Sequence, residues 1–575
     1  MTTGTDSQSD ASDLAPPCRA WISSIQFRDG TILELQKDDT IVFVGPHNCG
    51  NSELLGSILS LASTGACSSA VVQSINLGKS GTSHELVDWL RRRYTRQGEF
   101  PNCSSHGFGL ANADQTIAAR WDNTVLDELT PLFIYTCRRE SRIMESSAPN
   151  SIPAHETKSH PLHRLYDDAD LEENFSMAFH EAFGTDLVIN WRGGTPIPIH
   201  VGPRPVRTAD ADRVSNEYCE AVKKLPLLSD QGDDMRSFAS LLFALESMQS
   251  SVLLIDEPEA FLRRPQARRI GEILAKAGTK QRQVIVATHS TDVLRGVLSV
   301  ASPNTKIIRF SRADGQTTKV LEPSAVEKLW SDPVLRFSNA LDGLFHEATV
   351  LCEGDADCRF YEAIATAIAP GDGRMPIDLY FAYTAGKDYL PEVQRALKTL
   401  GVPVAVIADF DLLQQDSPLQ ELVGDSPDAW KAISKLIAPL RAAIDNGAPT
   451  LARTAFAKGI FKMLALSDSA ALSDKERDSI REMLKETSPW SIAKTQGKTM
   501  LSGESAVHAE KLLADLQMCG VFVVPIGEVE SFCRAAGGRG PRWVAEVLKR
   551  PFKDDADLVE ARDFVNKVVA YCLII

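Results

Sequence analysis

The sequence lacks a hydrophobic run long enough to cross a membrane and lacks cysteine spacings typical of metal or redox motifs. No apolar stretch approaches the roughly 20 residues that a membrane helix needs. The 11 cysteines are odd in number and no two are spaced C-x-x-C, so we expect buried thiols in a reducing compartment rather than disulfides. Residues 1–17 lack the basic and apolar parts of a signal peptide. These absences predict a cytoplasmic protein with a disordered tail at 1–17 and no membrane partner.

The sequence also lacks an excess of basic residues. It has 61 Lys and Arg against 76 Asp and Glu, a formal net charge of −15. Proteins that bind duplex DNA tightly and nonspecifically often have a positive net charge, so the negative net charge weighs against this class of protein. It does not exclude a nuclease, because metal-binding carboxylates are acidic and a local basic patch can still hold a phosphate backbone.

Strand and helix patterns alternate in two parts of the 575-residue chain. The predicted strands lie at 41–44, 252–255, 284–287 and 305–309 in the first part and at 348–352, 377–382, 404–408 and 521–525 in the second. Such alternation is typical of α/β proteins with parallel sheets. We predict a first domain at 18–340 with a partly helical insertion at about 66–225, and a second at 341–575 with a helical insert at about 429–515.

Three motifs in the first part stand in the order typical of an ATP site. Residues 45–52, Gly-Pro-His-Asn-Cys-Gly-Asn-Ser, fit the phosphate-binding pattern G-x-x-x-x-G-K-[ST] except for asparagine at the lysine position. In such a loop, backbone N–H groups hold phosphates and the final hydroxyl binds Mg²⁺. Asp256 and Glu257, which follow an apolar strand, would orient Mg²⁺ and polarise the attacking water. His289, after the next strand, would contact the γ-phosphate.

The missing lysine predicts weak ATP binding and slow or absent hydrolysis, because Asn51 donates a hydrogen bond but has no charge. If hydrolysis is nevertheless brisk, another cation must compensate, and the candidates are Arg138 and Arg139. Alone, the loop is equally compatible with a Gly-rich turn that binds nothing. The three motifs together favour a nucleotide site that contains Gly45, Asn48, Gly50, Asn51, Ser52, Asp256 and His289, with Ser52 and Asp256 at the metal and Glu257 as the catalytic residue.

Carboxylates follow three apolar strands of the second part. The six acids are Glu353, Asp357, Asp409, Asp411, Glu528 and Glu530. Parallel strands bring such residues to one edge of a sheet, and Mg²⁺ prefers oxygen ligands. Two ions could activate a water and stabilise the leaving oxygen of a phosphodiester. For any single acid a solvated loop end is the alternative, but the set predicts a Mg²⁺ or Mn²⁺ site in which Glu353, Asp409 and Asp411 are catalytic.

Together these motifs resemble the OLD (overcoming lysogenization defect) family, in which an ABC-type ATPase of the RecF/SMC class is joined to a Toprim domain. The resemblance rests on residues 21–27 and 45–50, on 229–236 at the position of the ATPase signature, on Asp256-Glu257-Pro258-Glu259, and on the acids of the second part. The sequence departs from the family at Asn51 and at Arg263-Arg264-Pro265, where His-Pro is usual.

The resemblance implies an ABC/SMC-type ATPase head followed by a Rossmann-like Toprim domain. It implies a metal-dependent DNA endonuclease regulated by ATP, of the kind found in anti-phage defence and similar to the Gabija nuclease component. It also implies a homodimer or higher homo-oligomer, because the ATP site of this class is shared between two heads, with the 66–225 insertion as a second place of contact. A basic residue that stabilises the transition state is expected downstream, with Lys549 as the candidate and Lys553 close behind. A second defence protein is a further possible partner.

Two other functions stay compatible with the sequence. One is a nucleotide-sensing scaffold that does not hydrolyse ATP and recruits a partner, which Asn51 keeps open. The other is a RecF/SMC-like repair ATPase with a vestigial Toprim domain, which the intact acids Glu353, Asp409 and Asp411 disfavour.

Overall fold

The structure is a computed structural model, and the chain divides into two compact units, Met1–Ser331 and Asp332–Ile575. The residues it describes are 18–46, 50–94, 102–103, 108–109, 114–152, 160–206, 212–247, 250–278, 282–300, 304–311, 317–321, 339–369, 378–384, 386–424, 427–446, 453–465, 472–474, 476–477, 479–480 and 488–574.

The first unit contains thirteen strands within these described residues. They are β1 (Arg19–Phe27), β2 (Ile32–Glu34), β3 (Thr40–Val44), β4 (Val72–Ser80), β5 (Asn102–Cys103), β6 (Phe108–Gly109), β7 (Ile134–Cys137), β8 (Asp186–Ile189), β9 (Ile199–Gly202), β10 (Val252–Asp256), β11 (Gln283–Ala287), β12 (Thr305–Ser311) and β13 (Thr317–Leu321). The helices are Asn51–Thr64, Ser83–Tyr94, Asp114–Trp121, Thr130–Phe133, Arg142–Glu145, Leu162–Asp167, Ala169–Phe183, Asn216–Val222, Asp233–Leu242, Arg264–Gly278 and Thr291–Ser299.

A six-stranded sheet in the order β13-β12-β3-β11-β10-β7 forms the centre of this unit. All neighbouring strands are parallel except β12 and β13. The central strands are apolar along their whole length because both faces of the sheet are covered. Alternate residues therefore belong to different cores: Leu254 packs with the helix Asn51–Thr64, and Leu253 and Ile255 pack with the helix Arg264–Gly278.

Two strands of the main sheets lie within the stretch 66–225 that the sequence predicted as an insertion. β4 pairs antiparallel with β1, and β7 pairs parallel with β10 at the edge of the central sheet. Both segments are difficult to predict as strands from the sequence, because β4 is half polar and β7 has only four residues. Parts of this stretch thus belong to the sheets of the first unit, and β7 places Arg138 and Arg139 directly after a strand beside β10.

The second unit contains a four-stranded, fully parallel sheet in the order β15-β14-β16-β17. Its strands are β14 (Ala348–Cys352), β15 (Leu379–Tyr383), β16 (Val404–Ala408) and β17 (Val521–Val523). Its helices are Asp355–Ile368, Leu390–Thr399, Asp416–Val423, Pro427–Asn446, Arg453–Leu464, Pro489–Gln496, Glu504–Met518, Pro541–Val547 and Val559–Ile574. The described chain between β16 and β17 is helical. The α/β fold class with parallel sheets is confirmed.

Among the described residues, no helix has the length and apolar character needed to cross a membrane.

Candidate nucleotide site and candidate metal centre

Strand register brings the three ATP-site motifs to one edge of the central sheet. Asp256 on β10 pairs with Ala287 on β11, and Ala287 pairs with Phe43 on β3. The residues just beyond these positions are tied together, since Glu257 N donates to Ala287 O at 2.8 Å and Thr288 N donates to Phe43 O at 3.1 Å. The edge therefore collects the loop after β3, the acids after β10 and the residues after β11, as a phosphate site of this type requires.

The phosphate-binding loop is described only in part. Gly50 immediately precedes the helix Asn51–Thr64 and has φ 95°, a left-handed conformation that glycine adopts without the steric cost of a Cβ atom. Asn48 lies outside the described residues, as do the side chains of Asn51 and Ser52. Their predicted contacts with nucleotide stay predictions. The helix start after β3 places backbone N–H groups and the positive end of the helix dipole at this edge.

Two arginines contact the acidic pair after β10. Arg142 is fully buried, and its guanidinium donates to the backbone carbonyls of Asp256 and, at 2.9 Å, of Glu257. Glu257 itself has φ 42°, unusual for a residue other than glycine. Arg139 Nη1 lies 2.9 Å from the Glu257 carboxylate, with about half of the Arg139 side chain exposed. A cation is thus present beside the predicted catalytic acid.

Glu259 links β10 to the His289 segment. Its carboxylate accepts from Thr288 Oγ1 at 2.8 Å and from the backbone N–H of His289 at 2.7 Å. Burial raises the pKa of Glu259, an effect that these hydrogen bonds oppose. This acid therefore fixes the backbone of the segment that carries the predicted γ-phosphate contact, and its role here is positional.

Three acids converge at the carboxyl edge of the second sheet. Glu353 follows β14, and Asp409 and Asp411 follow β16, its neighbour. One carboxylate oxygen from each lies within 4.8 Å of the others. Glu353 Oε1 also accepts from the backbone N–H of Asp409 at 3.0 Å, which joins the ends of the two strands.

The other three predicted ligands are also held at this edge by contacts with neighbouring groups. Asp357 lies in the first turn of the helix Asp355–Ile368, and its carboxylate accepts from Gly354 N at 3.0 Å. Glu530 Oε1 accepts from Gly540 N at 2.7 Å, and Glu528 lies 3.9 Å from Arg539 Nη2. Asp409 affects the pKa of Glu528 and of Asp357, so these acids share one electrostatic environment.

Crowding of carboxylates changes their proton affinities. The pKa of Glu353 is raised to about 7, chiefly by burial and then by the nearby Asp409. The pKa of Asp357 is likewise raised to about 7, with burial as the main cause and Asp409 as the next. Buried like charges favour protonation unless a cation compensates them, so the cluster is electrostatically suited to a positive ion.

Lysines approach the cluster from two elements. Lys494, in the helix Pro489–Gln496, has its Nζ 2.9 Å from Asp409 Oδ2 and 3.5 Å from Asp411 Oδ1. Lys387 Nζ lies 2.9 Å from Asp411 Oδ2. Although burial lowers the pKa of Lys494, the negative charges of Asp409 and Asp411 raise it above its usual value. Both lysines are therefore basic neighbours of the acids, at 2.9 Å from a carboxylate oxygen.

The donor set fits a divalent cation of the Mg²⁺ or Mn²⁺ type. All three converging side chains are carboxylates, the hard oxygen ligands that these ions prefer. Asp411 Oδ1 is buried and makes no hydrogen bond in the described part of the chain; its neighbour is the Lys494 ammonium at the long distance of 3.5 Å. A buried carboxylate oxygen without a donor is costly, and a metal ion would satisfy it.

Lys549, the basic residue suggested by the family resemblance, contacts Glu546 on its own helix end at 2.7 Å, with most of its side chain exposed. Lys494 instead contacts the acids. Sequence reasoning missed this residue, because Lys494 lies in a helix of the segment between β16 and β17, far along the chain from Asp409 and Asp411. It also missed Arg142, since a buried arginine is unexpected from composition.

Comparison with known families finds two matches, one in each unit. Residues 226–295 match a family described as "AAA domain, putative AbiEii toxin, Type IV TA system". Residues 344–411 match the "Overcoming lysogenization defect protein-like, TOPRIM domain" family. The first range contains Asp256, Glu257 and His289, and the second contains Glu353, Asp409 and Asp411.

Similar proteins include the Old nuclease of Escherichia phage P2, which is 27% identical over 175 residues, 29% of this chain and 29% of that protein. The match thus spans less than a third of the relative's length. Solved structures that match include an SMC head bound to the C-winged helix domain of ScpA, with 14% identity, 54% of this chain and 99% of that chain covered, and a TM-score of 0.33. The SMC head domain from Thermotoga maritima matches with 12% identity, 53% and 98% coverage and a TM-score of 0.26.

The fold and the two domain matches define an α/β protein in which an AAA-type ATPase domain precedes an OLD-like Toprim domain. An OLD-like Toprim match thus follows an ATPase-domain match, and together with the similarity to the Old nuclease this order supports the resemblance to ATPase–Toprim proteins of the OLD type.

Proposed function

We propose that this protein is a nucleotide-regulated DNA endonuclease that requires Mg²⁺ or Mn²⁺. The observation that carries the proposal is the convergence of Glu353, Asp409 and Asp411 within 4.8 Å at the carboxyl edge of the Toprim sheet. The name of the phage P2 relative, Old nuclease, agrees with it. A repair ATPase with a vestigial Toprim domain would have no need for a buried carboxylate cluster, which costs free energy when it holds no cation.

A bound divalent ion would supply a water of lowered pKa and Lewis acidity at the scissile phosphate. The chain's own acids have separate tasks. Glu353, Asp409 and Asp411 would bind the ion through carboxylate oxygens, while Asp357 fixes the turn after β14 through Gly354 N. Glu528 and Glu530, which follow β17, are placed to extend the ligand set if a second ion binds.

The DNA backbone needs local positive charge in a chain whose net charge is −15. Lys387, Lys494 and Arg539 provide it, because each contacts one of the acids of this edge. Arg539 is the most exposed of the three, with 69% of its side chain accessible. These residues are the proposed phosphate contacts that flank the cut.

The ATPase domain would control cutting through nucleotide binding, with two copies of the chain sharing each ATP site. The loop 45–52 of one copy would face residues 229–236 of the other. An anti-phage role, with a second defence protein as partner, follows from the family resemblance and is part of the proposal. Slow hydrolysis suits such control, because binding alone can shift an equilibrium between two arrangements.

Plasmid cleavage tests the proposal. We expect nicking or cutting of supercoiled DNA with Mg²⁺ or Mn²⁺, none with EDTA, and none for Asp409→Ala or Glu353→Ala, because each removes an oxygen ligand. Asp416→Ala is the matched control, since Asp416 lies near Asp411 in sequence but is exposed and pairs with Arg441 at 2.7 Å. Cleavage that survives EDTA or both substitutions would remove the nuclease assignment.

One observation favours a second function, a nucleotide-sensing scaffold that does not hydrolyse ATP. Arg139 engages the carboxylate of Glu257, the acid that would polarise the attacking water. The scaffold predicts that ATP binds and changes the oligomeric state while neither ATP nor DNA is cleaved. Size-exclusion chromatography with and without ATP, run beside the plasmid assay, separates the two functions.

A further inference from the structure

Lys494 contacts two of the three carboxylates that would bind the metal ion. Its Nζ lies 2.9 Å from Asp409 Oδ2 and 3.5 Å from Asp411 Oδ1. Its side chain is about two-thirds buried, and those of Asp409 and Asp411 are less than a fifth exposed. The ammonium is therefore a cation held among the carboxylates themselves and not a solvated neighbour of them.

The backbone around Lys494 is packed so closely that its position is fixed. A Cβ atom on Gly527, which has φ 113°, would lie 2.3 Å from Lys494 O, and one on Gly497 would lie 2.2 Å from Pro525 O. Ser531 Oγ and Arg534 Nη2 both donate to Thr495 O, at 3.2 and 3.0 Å. The end of the helix Pro489–Gln496 is thus docked on the loop that leads from β17 to Glu528.

A divalent ion and this ammonium cannot both use the same oxygens. Mg²⁺ and Mn²⁺ bind carboxylate oxygens at about 2.1 Å, so an ion on Asp409 and Asp411 would lie within van der Waals distance of Lys494 Nζ and repel it. Lys494 has a flexible stem and is 35% exposed, which gives its ammonium a path to solvent. Lys387 contacts Oδ2 of Asp411 and leaves the other oxygen, the buried Oδ1, without a hydrogen bond.

We propose that Lys494 occupies the cation position of the carboxylate centre in the metal-free protein, and that a divalent ion binds by displacing its ammonium from Asp409 and Asp411. The proposal rests on the proposed metal dependence of the site. Because the ammonium must be displaced, the apparent affinity for the metal ion is lower than that of the carboxylates without Lys494. The displacement also leaves a lysine beside the centre that can contact a phosphate oxygen.

Binding of Mn²⁺, followed by the paramagnetic resonance of the free ion, tests the proposal on the full-length protein without DNA. We expect Lys494→Met, which keeps the length of the side chain and removes its charge, to bind Mn²⁺ about tenfold or more tightly than the unmodified protein. Lys494→Arg keeps the charge and should not tighten binding. Lys498→Met is the matched control, because Lys498 lies one turn away and pairs with Glu510 at 3.2 Å. Thermal melting checks that each variant is folded.

Each outcome separates this inference from the proposed function. Unchanged or weaker Mn²⁺ binding by folded Lys494→Met overturns the competition, while the nuclease assignment stands if the unmodified protein binds Mn²⁺ and cuts DNA. Equal tightening in Lys498→Met also overturns it, since the effect would then be general electrostatics. Binding by Lys494→Met alone supports the inference and argues against the proposed metal dependence of the natural chain. Failure of every variant to bind overturns both.

Discussion

At the scale of single residues, the candidate ATP site lacks the usual lysine charge, and its predicted catalytic acid is already paired with an arginine. Asn51 stands at the lysine position of the phosphate-binding loop, and Arg139 Nη1 lies 2.9 Å from Glu257. Phosphoryl transfer depends on positive charge around the transferring group and on a free carboxylate to orient water. Both features predict slow turnover, and they can be separated by mutation.

Asn51→Lys should raise ATP turnover by about tenfold or more, because a preorganised positive charge at the phosphates strongly stabilises the transition state of phosphoryl transfer. Adding Glu257→Gln to Asn51→Lys should lower turnover again. Steady-state phosphate release measures both effects. The opposite result, brisk hydrolysis by the unmodified chain that is lost in Arg139→Ala but not in Arg138→Ala, would identify Arg139 as the compensating cation.

At the scale of elements, the candidate metal centre depends on how the helix Pro489–Gln496 packs against the loop that follows β17. The helix Pro489–Gln496 brings Lys494 to the acids only because Gly497 and Gly527 leave room for close backbone contact. The sequence Gly497-Lys498-Thr499 looks like the end of a phosphate-binding loop, yet its glycine has a packing role here. The lysine of that tripeptide pairs with Glu510.

Gly527→Ala should destabilise the Toprim unit more than Gly503→Ala does. Both glycines have positive φ, so alanine is strained at each by about 1–2 kcal/mol. At Gly503 a Cβ atom meets nothing within 4 Å, whereas at Gly527 it would lie 2.3 Å from Lys494 O. Thermal melting of the two variants compares strain alone with strain plus collision. Equal melting temperatures would show that the helix Pro489–Gln496 can move away from the added Cβ atom without loss of folding free energy.

The elements that the sequence predicted are those with continuous apolar runs. The strands at 252–255, 348–352 and 404–408 are confirmed within a residue or two, because buried parallel strands are apolar on both faces. The helix that carries Asp357 begins at Asp355, early enough for the Asp357 carboxylate to accept from Gly354 N in the first turn. The sequence did not predict the short strand β7 or the half-polar strand β4. Their residue composition is not typical of strands, and they become strands by pairing with β10 and β1.

Site residues were predictable only where a strand end marks them. Glu353, Asp409 and Asp411 were found because each follows an apolar strand, and strand order then brings them together. Lys494 has no such marker, since a lysine on a helix is typical of a solvated surface until the tertiary structure places it. The α/β class and the OLD resemblance are confirmed, whereas the roles of individual residues stay predictions.

At the scale of the whole molecule, nucleotide control requires that two arrangements of the protein bind ATP with different affinity. We predict that ATP or a non-hydrolysable analogue changes the rate of DNA cleavage several-fold, whether by inhibition or by activation. Ser52→Ala should abolish the change and leave basal cutting intact, since it removes a hydroxyl predicted to bind Mg²⁺. Ser63→Ala is the control, because Ser63 lies on the same helix and donates to Leu59 O. Equal rates at zero and millimolar ATP would refute coupling.

The connection between β16 and β17 carries a residue that can adjust metal affinity independently of the carboxylates. The carboxylates belong to the sheet edge, but the ammonium beside them arrives on a helix of the intervening segment, at Pro489–Gln496. If Lys494 competes with the metal ion as proposed, exchanging that segment between related chains would change the metal concentration that the protein needs and leave the proposed carboxylate ligands unchanged. The response of such a protein to the divalent metal concentration of the cell would then change through replacement of a helical connection, without mutation of the carboxylates.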